Sequence, residues 1–256
     1  MEINRAAWME YVDDLKKINN AAYDLIIKYL TENEILTDEG FMAFTNYFFN
    51  TVTACGEAAA EVACQAYEAM AAAQGVRVPS AIPAEPPSYG ECIRAARGTM
   101  LQSSQDVMLA QTASRLVKRT GVDTTMKNAI RDGAEWAWVP AGDTCAFCVM
   151  LASNGWQRAS KKALKNGHAE HIHANCDCTY AVRFDEKTTV ENYDPSEYKT
   201  MYDDAEGTRW QDKLNSMRRD FYQENKEEIN EQKRDAYEKR KERESSTAEE
   251  TNVGET

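Results

Sequence analysis

The chain has 256 residues and a formal net charge of −12 at pH 7, and this excess of acid argues against broad contacts with nucleic-acid phosphates. Its seven cysteines are an odd number, which excludes a complete set of intrachain disulfides, and no apolar run approaches the about 20 residues that a membrane span requires. Because no basic and apolar leader precedes the first amphipathic segment, we expect the protein to stay in the cytoplasm in which it is made.

The N-terminal third has the periodicity of two long helices. Apolar residues recur at steps of three and four over residues 3–33, and again over residues 38–74. Gly75 can end the second helix, because glycine readily adopts the left-handed conformation that follows a helix. We therefore expect residues 1–75 to form an antiparallel helical hairpin.

A segment rich in proline separates this hairpin from the next helical region. Residues 76–90 contain four prolines and predict an extended linker rather than a regular element. Residues 91–133 form a helical segment, in which the pattern predicts one helix that ends near Gly121 and a short second helix that follows it.

Cysteine and histidine concentrate in residues 134–184, between two predicted strands at residues 135–139 and 179–184. Zinc prefers four nitrogen or sulfur ligands in a tetrahedron, and close pairs of cysteines supply them. The segment is too small for a large core, so a bound metal would provide much of its stability. We predict a zinc-stapled α+β module with five candidate donors for four positions, and two further histidines as alternatives: Cys145, Cys148, His173, Cys176 and Cys178, then His168 and His171.

Two other interpretations of these cysteines stay open. The first is a set of unligated thiols or a redox pair, although a redox C-x-x-C normally lies in a thioredoxin-like βαβ unit, which the pattern does not show. The second is a catalytic zinc with Glu170 as general base, because zinc deaminases combine an H-x-E motif with a later C-x-x-C. Here the order of the two motifs is reversed, and four or five protein donors favour a closed structural site.

The residues after the second strand predict a charged helical tail over residues 185–244 and a disordered end over residues 245–256. Asp194 and Pro195 are typical of a helix start, and an apolar face with Trp210 and Leu214 indicates a docking helix. Four basic residues upstream lie on one helix face, which is either solvated or in contact with DNA or an acidic partner: Arg158, Lys161, Lys162 and Lys165.

Residues 131–184 also carry a family resemblance. Two sequence segments are similar to those of Mu F-like minor head proteins, in the variety found in phages of Gram-positive bacteria: RDGAEWAWVPAGDTCAFC and HAEHIHANCDCTYAVRF. The family's second cysteine pair usually follows the pattern His-Pro-x-Cys-Arg-Cys, whereas this chain has Ala174 and Asp177 at the proline and arginine positions.

The resemblance implies a structural protein without enzymatic activity that takes part in phage head morphogenesis, and in genome packaging or ejection. It implies several copies per virion in the capsid interior or at the portal vertex, after assembly in the host cytoplasm. The implied partners are the portal and/or major capsid protein, with weak contact to packaged DNA and no membrane. The alternatives are a zinc-dependent nucleotide or nucleic-acid enzyme, similar to a deaminase or a nuclease, and a zinc-stapled adaptor of the host.

The fold class that we predict is mainly α with a small zinc-stapled α+β module. It combines the long N-terminal hairpin, a β-hairpin-like knuckle in the second half and the charged helical tail. We further expect the hairpin to dock on the phage head and residues 134–184 to fold as a separate knob, because the proline-rich segment can hold the two apart.

Overall fold

A computed structural model describes residues 1–100, 105–142, 144–165 and 176–228, together with residues 230, 231, 234 and 238. In these residues the chain forms eight helices and five short strands, which confirms the predicted, mainly helical fold with a small α+β part. The helices are α1 (Arg5–Glu32), α2 (Asp38–Ala73), α3 (Tyr89–Met100), α4 (Gln105–Asp132), α5 (Ala146–Ala152), α6 (Lys161–Lys165), α7 (Pro195–Asp204) and α8 (Trp210–Glu224). The strands are β1 (Glu2–Ile3), β2 (Glu135–Val139), β3 (Gln157–Arg158), β4 (Thr179–Arg183) and β5 (Thr189–Val190).

Side-chain caps set the starts of α1 and α2. The side chain of Asn4 accepts a hydrogen bond from the backbone N–H of Ala7 at 3.1 Å, and the Thr37 hydroxyl accepts one from Gly40 at 3.0 Å. Such caps satisfy N–H groups that have no partner inside the helix. The two helices pack on each other along their apolar faces, as the sequence predicts for the hairpin.

Helix α4 runs through Gly121 without a break, so the predicted helix end near this glycine is wrong. A Cβ atom at Gly121 would lie 3.4 Å from Leu15 Cδ2 and 3.5 Å from the carbonyl oxygen of Ala59. The glycine therefore lies where α4 packs closely against both α1 and α2. Since α4 contacts both helices of the hairpin, it lies at the centre of the helical layer.

The proline-rich segment is extended and is fastened to α4. Asn128 accepts a hydrogen bond from the backbone N–H of Ile82 and donates one to its carbonyl, both at 2.9 Å. The guanidinium of Arg131 donates to the carbonyl oxygens of Pro79 and Ser80, also at 2.9 Å. We call residues 76–88 the strap, because these contacts tie the segment along the helix.

Two small sheets complete the fold. Strand β2 pairs in antiparallel fashion with β3 on one side and β4 on the other, in register Trp136 with Val182 and Trp138 with Tyr180. Strands β1 and β5 form a separate parallel pair, which sequence analysis missed because two-residue strands have no readable period. This pair joins the start of the chain to the region after β4.

One hydrophobic core extends through both the helices and the larger sheet. It contains Trp8 of α1, Tyr67 of α2 and Met126 of α4 together with Trp138 of β2 and Tyr180 of β4. The residues of the predicted zinc module thus share a core with the N-terminal hairpin. The domain boundaries predicted from the sequence stay predictions.

The tail begins with two docked helices. Asp194 caps α7 by accepting a hydrogen bond from the backbone N–H of Ser196 at 2.8 Å. Leu214 and Met217 of α8 are buried against α5, whereas Trp210 is 48% exposed. The predicted disordered end, residues 245–256, lies outside the described residues.

Of the predicted basic face, the side chains of Arg158, Lys161 and Lys162 are exposed. Lys165 belongs with Lys161 and Lys162 to the short helix α6, and its side chain is outside the described part. Arg158 lies in β3, so the prediction that all four residues share one helix is wrong.

Candidate metal centre

The pairing of β2 with β4 brings the two cysteine pairs together. Val139, the last residue of β2, lies opposite Thr179, the first residue of β4. The chain leaves β2 toward Cys145, which directly precedes α5, and it enters β4 directly after Cys178. Two pairs that are far apart in the sequence therefore meet at one end of the sheet.

The sulfur atoms are close enough to share one ion. The sulfurs of Cys145, Cys148 and Cys176 all lie within 4.8 Å of one another, and those of Cys148 and Cys176 are 2.9 Å apart. Four sulfurs around one zinc ion, each at about 2.3 Å, would be separated by about 3.8 Å. The three cysteines could hold a metal ion without a large rearrangement.

Cys178 is the fourth member of the cluster. Its side chain is buried at the start of β4, two residues after Cys176, and the neighbouring thiols of Cys148 and Cys176 lower its pKa. All four cysteines are free of disulfide bonds. The side chains thus provide four sulfur donors, which is the number that a tetrahedral ion requires.

The cluster favours thiolates at two of its sulfurs. Hydrogen bonds from Cys148 and then Cys176, together with the backbone N–H of Ala141, lower the pKa of Cys178 to about 4. Hydrogen bonds from Cys145 and Cys148 also lower the pKa of Cys176. The pKa of Cys148 is raised, because its proton is shared first with Cys145 and then with Cys176 and Cys178. Since thiolates are the form that binds metals, the cluster is chemically suited to a cation.

Two lysines from the helical layer hold the Cys176-x-Cys178 segment. Lys16 of α1 forms an ion pair with Asp177 at 2.7 Å on the surface, and Lys118 of α4 donates to the backbone carbonyl of Cys176. Sequence analysis missed both lysines. The only signal for Lys118 was its place next to Val117 on the apolar face of its helix, and a lysine in a helix normally lies on the surface.

The predicted histidine donors cannot be placed. His168, His171 and His173 lie outside the described residues, as does Glu170, the base of the enzymatic alternative. Among the predicted site residues, the structure brings the sulfurs of Cys145, Cys148 and Cys176 together, and it places Cys178 in a buried position at the start of β4 beside them.

Comparison with known proteins gives one finding. The sequence model of a family described as VG15 protein matches residues 2–205, which include the cysteine cluster and the helical layer. The chain belongs to the VG15 protein family. This is a family of viral and phage proteins, so the predicted phage origin is supported at that level. No curated protein and no solved structure matches the chain significantly.

No helix in the described part of this VG15-family protein is both long enough and apolar enough to cross a lipid bilayer.

Proposed function

We propose that this VG15-family protein is a structural minor head protein of a tailed phage, and that its cysteine cluster holds one zinc ion. The observation that carries the metal assignment is the convergence of the sulfurs of Cys145, Cys148 and Cys176 at one end of the sheet, where Cys178 is also buried. Four cysteine ligands leave no coordination position for water or substrate, which is typical of a structural zinc site.

Zinc fits this cluster better than the common oxygen-binding cations. Thiolates are soft ligands that select zinc and similar metals, whereas magnesium and calcium require oxygen donors. A bound zinc ion would supply a four-way crosslink between the start of α5 and the start of β4. The residues that would hold it are Cys145, Cys148, Cys176 and Cys178.

Elemental analysis of the purified chain tests the metal. We expect close to one zinc ion per chain, and we expect Cys148→Ser and Cys178→Ser to lower this value and the melting temperature. Cys55→Ser is the matched control, because Cys55 is a partly buried thiol of α2 outside the cluster. A wild-type chain that lacks metal after growth with zinc would overturn the assignment.

Two observations support the minor head role: the chain belongs to a family of viral and phage proteins, and sequence segments in residues 131–184 resemble those of minor head proteins. We propose the portal and/or major capsid protein as partner, with several copies in the capsid interior or at the portal vertex and weak contact to packaged DNA. This proposal includes no catalytic activity.

Deletion of the gene from the phage tests this role. We expect purified wild-type virions to contain the protein and deletion lysates to yield fewer DNA-filled heads. Complementation with wild type should restore these heads, and Glu170→Ala should restore them equally, because Glu170 has no chemical role in this proposal. Absence of the protein from virions, or deaminase or nuclease activity that Glu170→Ala abolishes, would overturn it.

A further inference from the structure

Lys118 is a buried lysine at the cysteine cluster. Its residue is 2% exposed, in the middle of α4. The ammonium donates a hydrogen bond to the carbonyl of Cys176 and lies 5.8 Å from the centre of the Trp138 ring. A lysine in such a place must have its charge balanced, because a buried and unpaired ammonium is strongly unfavourable.

No carboxylate provides this balance in the described part of the chain, where Lys118 forms no ion pair with an aspartate or a glutamate. The hydrogen bond of Lys118 to the carbonyl of Cys176 instead places the ammonium against the backbone of the cysteine cluster, whose sulfurs would carry negative charge as metal ligands. The carbonyl of Cys176 and the aromatic face of Trp138 contribute only partial charges. The cysteine cluster is therefore the electrostatic partner of this lysine.

The charge of a metal site of this kind explains why a lysine would be buried beside it. A zinc ion bound by four thiolates carries a net double negative charge, which is unfavourable inside a protein. A fixed ammonium next to the sulfurs reduces that charge and stabilises the loaded form. Residues outside the ligand set commonly tune a metal site in this way.

We propose that Lys118 is the counter-charge of the cysteine cluster and that it raises the affinity of the cluster for zinc. The inference rests on the proposed zinc site and names a positioning residue from the helical layer. It also explains how the N-terminal half of the chain takes part in metal binding, since α4 contributes the charge while α5 and the start of β4 contribute the ligands.

The two lysines of the Cys176-x-Cys178 segment provide a matched pair for a test. Lys16 contacts the residue between the two cysteines, but its side chain is 49% exposed and its ion pair is on the surface. Exposed ion pairs contribute little, because water already solvates both charges. Lys118 is buried, so of the two lysines it is the one whose charge acts strongly on the sulfurs.

Zinc affinity of the full chain is measured by competition with a chromogenic chelator. We expect Lys118→Gln, which keeps a hydrogen-bond donor without the charge, to weaken zinc binding by about 10–100-fold. Lys118→Arg should stay within a few-fold of wild type, because it restores the charge, and Lys16→Met should not change the affinity. Cobalt absorption should show the same sulfur-to-metal bands in all folded variants.

Each outcome decides between alternatives. Equal affinity of Lys118→Gln and wild type overturns the inference while the zinc site itself stands. An equal loss in Lys118→Arg also overturns it, because shape rather than charge would then be responsible. If Lys118→Gln does not fold, as circular dichroism would show, the comparison of Lys118→Arg with Lys118→Met under the same titration decides. A wild type without zinc binding removes the proposed metal site and this inference together.

Discussion

The side-chain oxygen of Gln74, the residue directly after α2, accepts a hydrogen bond from the backbone N–H of Phe184 at 2.9 Å. The amide nitrogen of the same side chain donates to the carbonyl of Val182 at 3.0 Å. Gln74 therefore pairs with the outer edge of β4 as a neighbouring strand would, since β4 is the last strand of its sheet. The contact fixes the strand that follows Cys178 to the end of the N-terminal hairpin.

Replacement of Gln74 by Met should destabilise the protein by about 2 kcal/mol, because it leaves two backbone groups of β4 without partners in a buried place. Unfolding in urea, followed by circular dichroism, measures this change. Gln65→Met is the control. Gln65 is exposed on α2, and its side chain is hydrogen-bonded to Glu61 on the same helix rather than to β4. Equal effects of the two substitutions would show that the pairing with β4 does not stabilise the fold.

The contact between α2 and the strap predicts opposite effects of two glycine substitutions. A Cβ at Gly56 would lie 3.2 Å from Pro86 Cβ and 3.3 Å from the Thr120 hydroxyl, whereas a Cβ at Gly98 would meet nothing within 4 Å. Both residues are helical, so alanine gains up to about 1 kcal/mol of helix propensity at each. We expect Gly98→Ala to stabilise the protein and Gly56→Ala to destabilise it by about 1 kcal/mol through crowding.

Urea unfolding of both glycine variants gives the comparison. An equal gain in the free energy of unfolding for Gly56→Ala and Gly98→Ala would mean that the strap can move away from α2 without loss of stability. The segment would then behave as the linker that its four prolines suggest.

A partly buried carboxylate next to α2 predicts an acid-dependent loss of stability. Asp132 accepts hydrogen bonds from Arg131 at 2.7 Å and from the Tyr67 hydroxyl at 2.8 Å. These bonds, with Arg131 contributing most, lower the pKa of Asp132 below its usual value of 3.8. The ionised form is thus favoured in the folded state, so its contribution is complete well above pH 3.8 and disappears as the pH falls through the lowered pKa.

Asp132→Asn should therefore cost about 1.5 kcal/mol at pH 7, which is the usual size of a hydrogen bond to a charged group. The difference from wild type should be the same at pH 5 and should shrink below pH 3.8. Urea unfolding at each pH measures it, and the comparison with wild type removes the effect of acid on the metal. A difference that does not depend on pH would show that the charge of Asp132 is unimportant.

The three histidines provide a test of the ligand set. The four proposed cysteine ligands would satisfy a tetrahedral ion, so simultaneous replacement of His168, His171 and His173 by alanine should leave one zinc ion per chain. Elemental analysis measures the content, and competition with a chelator measures the affinity. If His173→Ala alone lowers both values, this histidine is a ligand and one of the four cysteines is not.

Sequence periodicity predicted the long helices and two of the three strands of the larger sheet, β2 and β4, because apolar residues recur over many turns in the helices and alternate in these strands. The spacing of Cys145, Cys148, Cys176 and Cys178 likewise indicated a common site, and the structure brings the first three of their sulfurs within 4.8 Å of one another. Local patterns carry this information directly.

Long-range polar contacts could not be predicted in this way. Gln74 caps the end of α2 and Lys118 lies in α4, at positions where glutamine and lysine are usually exposed. Each is instead buried and bonded to a partner more than 50 residues away. Gly121 was misinterpreted as a helix end for a similar reason. The need for a small residue at this position becomes visible only when α4 is seen packed against both α1 and α2.

The shared core leads to a prediction about the metal module. Trp138 and Tyr180 are in contact with each other, and both belong to the same core as Trp8 and Tyr67 of the hairpin. A fragment of residues 134–256 would lose the helices that cover these rings, the ammonium of Lys118 and the pairing with Gln74. A metal crosslink alone does not replace such a core, because apolar burial is the dominant stabilising term in folding.

We therefore expect residues 134–256 to show no cooperative thermal transition in circular dichroism, even with zinc. Addition of a fragment of residues 1–133 should restore the transition, since it returns the missing half of the core. The control is the full chain cleaved at a protease site inserted between Gly133 and Ala134, which keeps both halves together at the start. A cooperative transition of residues 134–256 alone would instead establish the separate knob expected from the sequence, with the hairpin as an independent docking element.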